Sequence, residues 1–143
     1  MARPTELDQI GYIYFISSPT QDAVKVGFAQ EVYTRHKSLQ TGNPADLTLV
    51  GTVRATYGAE MELHKMLKGR RIRLEWYRDD EVIGSIINSI QDEHLDMTMM
   101  WLLEHKPHST NVADLEAAAA EVVITAPIMR QIIEAELAEL AAA

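Results

Sequence analysis

Five side chains that can do acid-base and electrostatic chemistry are spread along the first half of the chain. In order they are Tyr14, Lys25, Arg35, Glu60 and Glu75. Cleavage of a phosphodiester needs a base for the attacking water, a cation for the phosphate charge and an acid for the leaving oxygen. A phenol, an ammonium, a guanidinium and two carboxylates can supply all three. The set therefore suits phosphodiester hydrolysis.

Each member of this set also has a purely structural interpretation when it is considered alone. Tyr14 can be a packing residue of a strand, and Lys25 can be a solvated lysine. Arg35 can form a salt bridge with Glu60 or Glu62. A Glu in the first turn of a helix commonly complements the helix dipole. The functional interpretation therefore rests on the five residues together.

The elements that carry these residues can be predicted from hydrophobic alternation and from helix start and stop signals. The order strand, strand, helix, strand, helix predicts an α+β fold in which a small sheet is flanked by helices. Residues 72–77 are predicted to be a short extended segment. The predicted ranges of the five elements are 11–16, 23–27, 29–40, 47–53 and 57–68.

The second half of the chain is predicted to be entirely helical, with an acidic surface and one apolar side. Helices are predicted from Asp79-Asp80 to about 89, over 92–105, over 112–124 and from 125 onward, with a break at Lys106-Pro107. We therefore divide the chain into residues 1–90, a compact α+β domain, and residues 91–143, an acidic helical extension. The extension either folds back on the core as a cap or forms a homodimer or binds a protein partner through residues 92–141.

The charge of the chain is divided unevenly between these parts. The net charge is −8, but residues 1–80 hold eleven of the thirteen Lys and Arg residues against ten acidic ones. A basic cluster beside the second predicted helix is a candidate surface for nucleic-acid phosphates, or alternatively a solvated helix end that complements the dipole. Its members are Lys65, Lys68, Arg70, Arg71 and Arg73.

The composition also excludes several classes of protein. The chain has no Cys, which excludes disulfides, thiolate metal sites and a cysteine nucleophile. No apolar run approaches the roughly 18 residues that a membrane span needs. We expect a cytoplasmic protein that does not associate with membranes.

At the residues of the chemical set the chain resembles the GIY-YIG endonuclease superfamily over roughly residues 10–80. The first motif corresponds to Ile13-Tyr14 and the second to Lys25-Val26-Gly27, followed by Arg35 and Glu60. The chain is similar in particular to a branch, common in phage and bacterial proteins, with a Lys-Ile-Gly second motif and a Leu-His…Gly-Glu-Trp-Phe ending. Leu63-His64 and Leu74-Glu75-Trp76-Tyr77 match that ending.

The resemblance implies a three-stranded antiparallel sheet flanked by helices and a metal-dependent endonuclease that acts on DNA. Glu60 would be the single protein ligand of one Mg²⁺ or Mn²⁺ ion. Arg35 would stabilise the charge that develops on the phosphate. Tyr14 would be the general base, with Lys25 lowering its pKa, and the rival assignment makes Lys25 the base.

The same resemblance adds His64 to the site and gives possible roles to Glu75. His64, one helical turn after Glu60, would face the same side and relay a proton or touch phosphate, unless it is structural. Glu75 stands where many members have asparagine, and it would brace Arg35 or a backbone amide or support the metal. The alternative functions are a module that binds nucleic acid without cutting it and a helical protein-interaction protein.

Overall fold

A computed structural model of the chain describes residues 4–106, 108 and 111–143. Within these residues the α+β class is confirmed, and five strands form one antiparallel sheet. The strands are β1 (Ile10–Ser18), β2 (Ala23–Ala29), β3 (Thr48–Thr56), β4 (Arg71–Arg73) and β5 (Trp76–Arg78). The helices are α1 (Pro4–Leu7), α2 (Val32–Thr41), α3 (Tyr57–Met66), α4 (Glu81–His105), α5 (Val112–Glu121) and α6 (Ala126–Ala142).

The expectation of a three-stranded sheet was wrong. The strand order is β3-β1-β2-β5-β4, so a hairpin of two short strands extends the predicted sheet beyond β2. Each added strand has only three residues, which is too short for alternation to be recognised. The turn that connects them has no Gly or Asn to signal it in the sequence. Leu74 takes the left-handed conformation there instead, at φ 52°.

The two faces of the sheet are packed against different helices. Side chains alternate between the faces of a strand, so Ile13 and Phe15 enter one cluster and Tyr14 and Ile16 enter another. The larger cluster also contains apolar side chains of α3, α4 and α6. The smaller cluster packs against α2 through Val32 and Leu39. The strand β1 is therefore buried on both sides, as its aromatic and β-branched composition requires.

A single helix, α4, replaces the two helices predicted on either side of residue 90. It begins where Asp80 accepts a hydrogen bond from the Ile83 amide at 3.0 Å, which confirms the predicted start. No Gly or Pro interrupts residues 85–105, and Ile90 is fully buried at the predicted gap. The division at residue 90 falls inside this helix. Although α4 has 25 residues, none of the helices in the described part of the chain is both long and apolar enough to cross a membrane.

The segment that leads into α6 and α6 itself fold back on the core. Ile124 forms a bridge with Ala55 beside β3, and Met129 and Ile133 are fully buried in the larger cluster. At the surface, the Arg130 guanidinium donates to Glu62 on α3 at 2.8 Å. This part of the predicted extension is therefore a cap on the core. A helix break was predicted at Lys106-Pro107, and Pro107 lies outside the described residues.

A homodimer or another partner for residues 92–141 stays a prediction. The second half of α4 exposes Leu95, Met99 and Leu103, which are spaced four residues apart on one face and are 59, 46 and 65 % exposed. We expect light scattering to give a dimer mass for the full chain and a monomer mass for Met99→Glu, because a charge would be buried in the interface. Gln131→Glu, on an exposed position of α6, is the matched control. Equal masses for wild type and Met99→Glu would contradict an interface on this face.

Candidate metal and nucleic-acid site

A buried carboxylate on α3 is the centre of the candidate site. Thr56 caps this helix by accepting from the Ala59 amide at 3.2 Å, which fixes Glu60 in the first turn. Glu60 is only 4 % exposed, and its Oε1 lies 2.8 Å from Nε2 of His64, one turn further along. A carboxylate that is removed from water needs such partners. The structure thus places His64 on the side of Glu60, as the spacing predicted.

The β4–β5 turn brings a second carboxylate to the same place. One oxygen of Glu75, one oxygen of Glu60 and one ring nitrogen of His64 all lie within 4.8 Å of one another. The Glu75 side chain is 47 % exposed, so this group is open to solvent on one side. Because carboxylate oxygens and imidazole nitrogens are ordinary metal ligands, Glu60, His64 and Glu75 fit a divalent cation, and we refer to these three residues as the metal group. The donor set is therefore larger than the single Glu60 ligand that the sequence suggested.

Lys25 is the direct partner of Glu75. Its Nζ lies 2.9 Å from Oε2 of Glu75, and the lysine is opposite Trp76 in the β2–β5 register. As predicted from alternation, Lys25 points away from the face that buries Val24 and Val26. Glu75 thus braces a lysine where the sequence suggested Arg35. The Val26 amide donates to the backbone carbonyl of Glu75 at 3.0 Å, and not to the carboxylate as the sequence suggested.

Tyr14 lies beside these groups as a protonated phenol. The residue is 2 % exposed, and burial raises the pKa of Tyr14 from its ordinary value of 10.0 to about 12. The charges of Glu75 and Glu60 also raise this pKa, whereas the charge of Arg35 lowers it. The pKa therefore moves in the direction opposite to the lowering expected from Lys25. The cause is burial, together with the pairing of Lys25 with Glu75.

The raised pKa of Tyr14 makes stability depend on pH in the alkaline range. The folded chain keeps this proton to a higher pH than the unfolded chain, so the stabilisation is complete below pH 10.0 and is lost as pH rises toward about 12. We expect Tyr14→Phe to show a smaller fall of the urea midpoint over this range than wild type. Tyr33→Phe, at a position 79 % exposed, is the control and should match wild type. The same alkaline fall in all three proteins would contradict the assignment.

Gly27 leaves the room that the Tyr14 ring occupies. The two residues are cross-strand partners in β1 and β2, and a Cβ on Gly27 would stand 2.2 Å from both Cζ and Oη of Tyr14. We expect Gly27→Ala to expel the ring and lower the free energy of unfolding by about 1–3 kcal/mol, which urea denaturation would measure. Gly84→Ala, where nothing lies within 4 Å of the new Cβ in α4, should instead stabilise by about 0.5–1 kcal/mol. Equal effects of the two changes would show that the ring does not need Gly27.

Arg35 stands on α2 with its guanidinium available to an anion. The side chain is exposed, and it makes no ion pair within the part of the chain that the structure describes. The salt bridge considered from the sequence is not formed, since Glu60 contacts His64 and Glu62 contacts Arg130. The influence of Arg35 on the Tyr14 pKa places its charge near that phenol. It is thus a cation whose charge acts on the phenol of Tyr14.

The predicted basic cluster lies on the surface between the end of α3 and β4. All five of its side chains are exposed, and Arg70 forms an ion pair with Asp80 at 3.6 Å. Burial raises the pKa of Tyr77, and the nearby charge of Arg71 partly opposes this rise, so the cluster reaches the neighbourhood of His64. The members are Lys65, Lys68, Arg70, Arg71 and Arg73.

Tyr77 is a site residue that the sequence analysis did not identify. It is fully buried on β5, and its hydroxyl lies 2.5 Å from Nδ1 of His64. Burial is the main cause that raises its pKa to about 12. The available signal was a tyrosine on a buried strand two residues after Glu75, because a buried phenol needs a hydrogen-bond partner. Which residue would be that partner depended on a pairing of strand and helix that the sequence does not reveal.

Comparison with known proteins replaces the family suggested by the motifs. The model of the T5orf172 domain matches residues 11–91, more than half of the chain, and this range contains all six candidate catalytic residues. No curated protein and no solved structure is significantly similar to the chain. Domains of the T5orf172 type are associated with nucleases and DNA binding. The assignment to the GIY-YIG superfamily was therefore wrong, and the chain belongs to the T5orf172 domain family.

Proposed function

We propose that this protein is a metal-dependent endonuclease that hydrolyses phosphodiester bonds in DNA. The observation that carries the proposal is the convergence of Glu60, His64 and Glu75 within 4.8 Å, beside a phenol and two cationic side chains. One Mg²⁺ or Mn²⁺ ion held there would supply Lewis-acid stabilisation of the phosphate charge. The association of the family with nucleases and DNA binding agrees with this function.

In this proposal Arg35 binds the scissile phosphate. The guanidinium is exposed and has no carboxylate in ion-pair contact among the residues that are described, so it can form paired hydrogen bonds to phosphate oxygens. Lys25 plays a different part, because its ammonium already holds Glu75 at 2.9 Å. It keeps that carboxylate aimed at the metal group and adds positive charge to the cleft.

Tyr14 is the proposed proton acceptor for the attacking water. Its oxygen lies among the charges of Glu60, Glu75 and Arg35, whereas the rival base, Lys25, has its ammonium engaged by Glu75. The phenol holds its proton at neutral pH, since the pKa is about 12. It must lose that proton before it can accept another. The cleavage rate is therefore expected to rise with pH until the fold itself is lost.

The basic cluster is the proposed contact for the DNA backbone on either side of the cut. Four of its members make no ion pair within the described residues, so their charges remain available to phosphates. Binding through so few lysines and arginines should be weak and should fall steeply with salt. These four are Lys65, Lys68, Arg71 and Arg73.

Cleavage assays at low salt test this function directly. Single-stranded, duplex and supercoiled plasmid DNA would be incubated with wild type and Mn²⁺ or Mg²⁺, with and without a chelator. We expect metal-dependent nicking that falls about 100-fold in Arg35→Ala, because a positioned cation at the phosphate is lost. Lys37→Ala, exposed on the same helix, is the matched control and should cut like wild type.

Two other results would point to different functions. Salt-sensitive DNA binding without cleavage of any substrate would indicate a non-cutting nucleic-acid-binding module. No DNA binding at all by the folded chain would favour a protein-interaction protein.

A further inference from the structure

The metal group contains a nitrogen donor, and this has consequences for the ion that it selects. Glu60 and Glu75 offer oxygens, but His64 offers a ring nitrogen within the same 4.8 Å. Mg²⁺ prefers oxygen ligands and keeps much of its water, whereas imidazole suits first-row transition ions. The donor set is therefore better matched to an ion such as Mn²⁺ than to Mg²⁺.

His64 is also held in the manner of a ligating histidine. The Nδ1 atom lies 2.5 Å from the Tyr77 hydroxyl, and Tyr77 is fully buried on β5. In metal sites the second ring nitrogen usually has such a partner, which fixes the orientation of the ring and the position of its proton. Nδ1–H can donate to the phenol oxygen, and Nε2 then has its lone pair available on the side of Glu60.

The same ring can serve the site without an ion. With its proton on Nε2, the neutral imidazole donates to Oε1 of Glu60 at 2.8 Å and accepts from the Tyr77 hydroxyl at Nδ1. Both arrangements satisfy both ring nitrogens and differ only in which nitrogen carries the proton. Tyr77 thus has a partner role in each, and His64 can change from bracing Glu60 to binding an ion without leaving its place.

We propose that His64 is a nitrogen ligand that makes this site select a first-row transition ion over Mg²⁺, with Tyr77 as the residue that positions it. The inference deepens the proposed nuclease function and rests on it only for its biological meaning. Ion selection itself is a binding property, so it can be measured without DNA.

Calorimetric titration of the metal-free full chain with MnCl₂ and with MgCl₂ tests the selection. We expect wild type to bind Mn²⁺ at least about 10-fold more tightly than Mg²⁺. His64→Gln should lower this preference to about 3-fold or less. Tyr77→Phe leaves the ligand in place, so it should lower the preference by a smaller factor than His64→Gln does, with Mg²⁺ binding changed by less than about 3-fold. His105→Gln, the same exchange at an exposed histidine on α4, should bind both ions like wild type.

A spectroscopic measurement keeps the proposal testable should Tyr77→Phe fail to fold. Pulsed electron paramagnetic resonance of Mn²⁺ bound to wild type should show coupling to a ¹⁴N nucleus, and His64→Gln should lack it. Equal affinities of wild type for the two ions, or the absence of nitrogen coupling in wild type, would overturn the proposal. A failed nuclease proposal would look different, with tight Mn²⁺ binding and nitrogen coupling but no DNA cleavage.

Discussion

Glu60→Gln is expected to lower the rate of DNA cleavage by about 1,000-fold while leaving the chain folded. The carboxylate is the most buried member of the metal group, and it can contribute a full negative charge toward an ion only while it is ionised. Glutamine keeps the shape and can still accept from Nε2 of His64 through its side-chain carbonyl oxygen. Single-turnover cleavage of plasmid DNA and thermal unfolding would measure the two properties separately.

A matched exchange exists two residues further along the same helix. Glu62→Gln removes the charge that pairs with Arg130 at 2.8 Å, whose hydrogen bond lowers the pKa of Glu62. This pair lies on the side of α6, away from the metal group. We expect Glu62→Gln to cut DNA within about 3-fold of wild type, since Glu62 is not a member of the metal group. Cleavage by Glu60→Gln within about 10-fold of wild type would rule out this carboxylate as a ligand.

Ile133→Ala is expected to destabilise the whole chain by about 2–5 kcal/mol, although the residue lies far outside the family-matched range of 11–91. Ile133 is fully buried in the core cluster that also contains Ile13 and Phe15 of β1. Its removal would leave a cavity between α6 and the sheet. Urea unfolding followed by circular dichroism would show a lower midpoint in one cooperative transition.

An exposed residue on the same helix provides the control. Gln131→Ala changes α6 without touching the core, so the free energy of unfolding should change by less than about 0.5 kcal/mol. If unfolding had two steps and only Ile133→Ala changed the first of them, α6 would unfold independently of the rest of the chain. An unchanged midpoint in Ile133→Ala would mean that α6 does not belong to the core at all.

Much of the fold could be predicted because the signals were local. The strand β1 is rich in aromatic and β-branched residues, and β2 shows alternation. Thr56 and Asp80 stand at helix starts, and Pro127 lies in the first turn of α6. The hairpin β4–β5 could not be predicted in the same way. The hairpin is stabilised because β5 pairs with β2, which lies about 50 residues earlier in the chain. A pairing over this distance cannot be recognised from the local sequence pattern.

In the candidate site, too, local relations could be predicted and contacts between distant elements could not. The position of His64 beside Glu60 could be predicted because the two residues are one helical turn apart, which spacing alone specifies. Lys25 and Glu75 were both identified, but their ion pair depends on the β2–β5 register and was not foreseen. Tyr77 was missed for the same reason. Contacts across a sheet, or between a sheet and a helix, therefore cannot be predicted from the spacing of residues in the sequence.

The β2–β5 register has a consequence for how the length of the chain can vary. Lys25 is opposite Trp76 and Val24 is opposite Tyr77, so neighbouring residues of β5 serve opposite faces of the sheet. One residue inserted into β5 would exchange those faces, taking the phenol from His64 and the indole from Lys25 in a single step. Insertions between α2 and β3, at residues 42–47, would leave this pairing intact. Natural insertions and deletions should therefore occur in that loop and be absent from the hairpin.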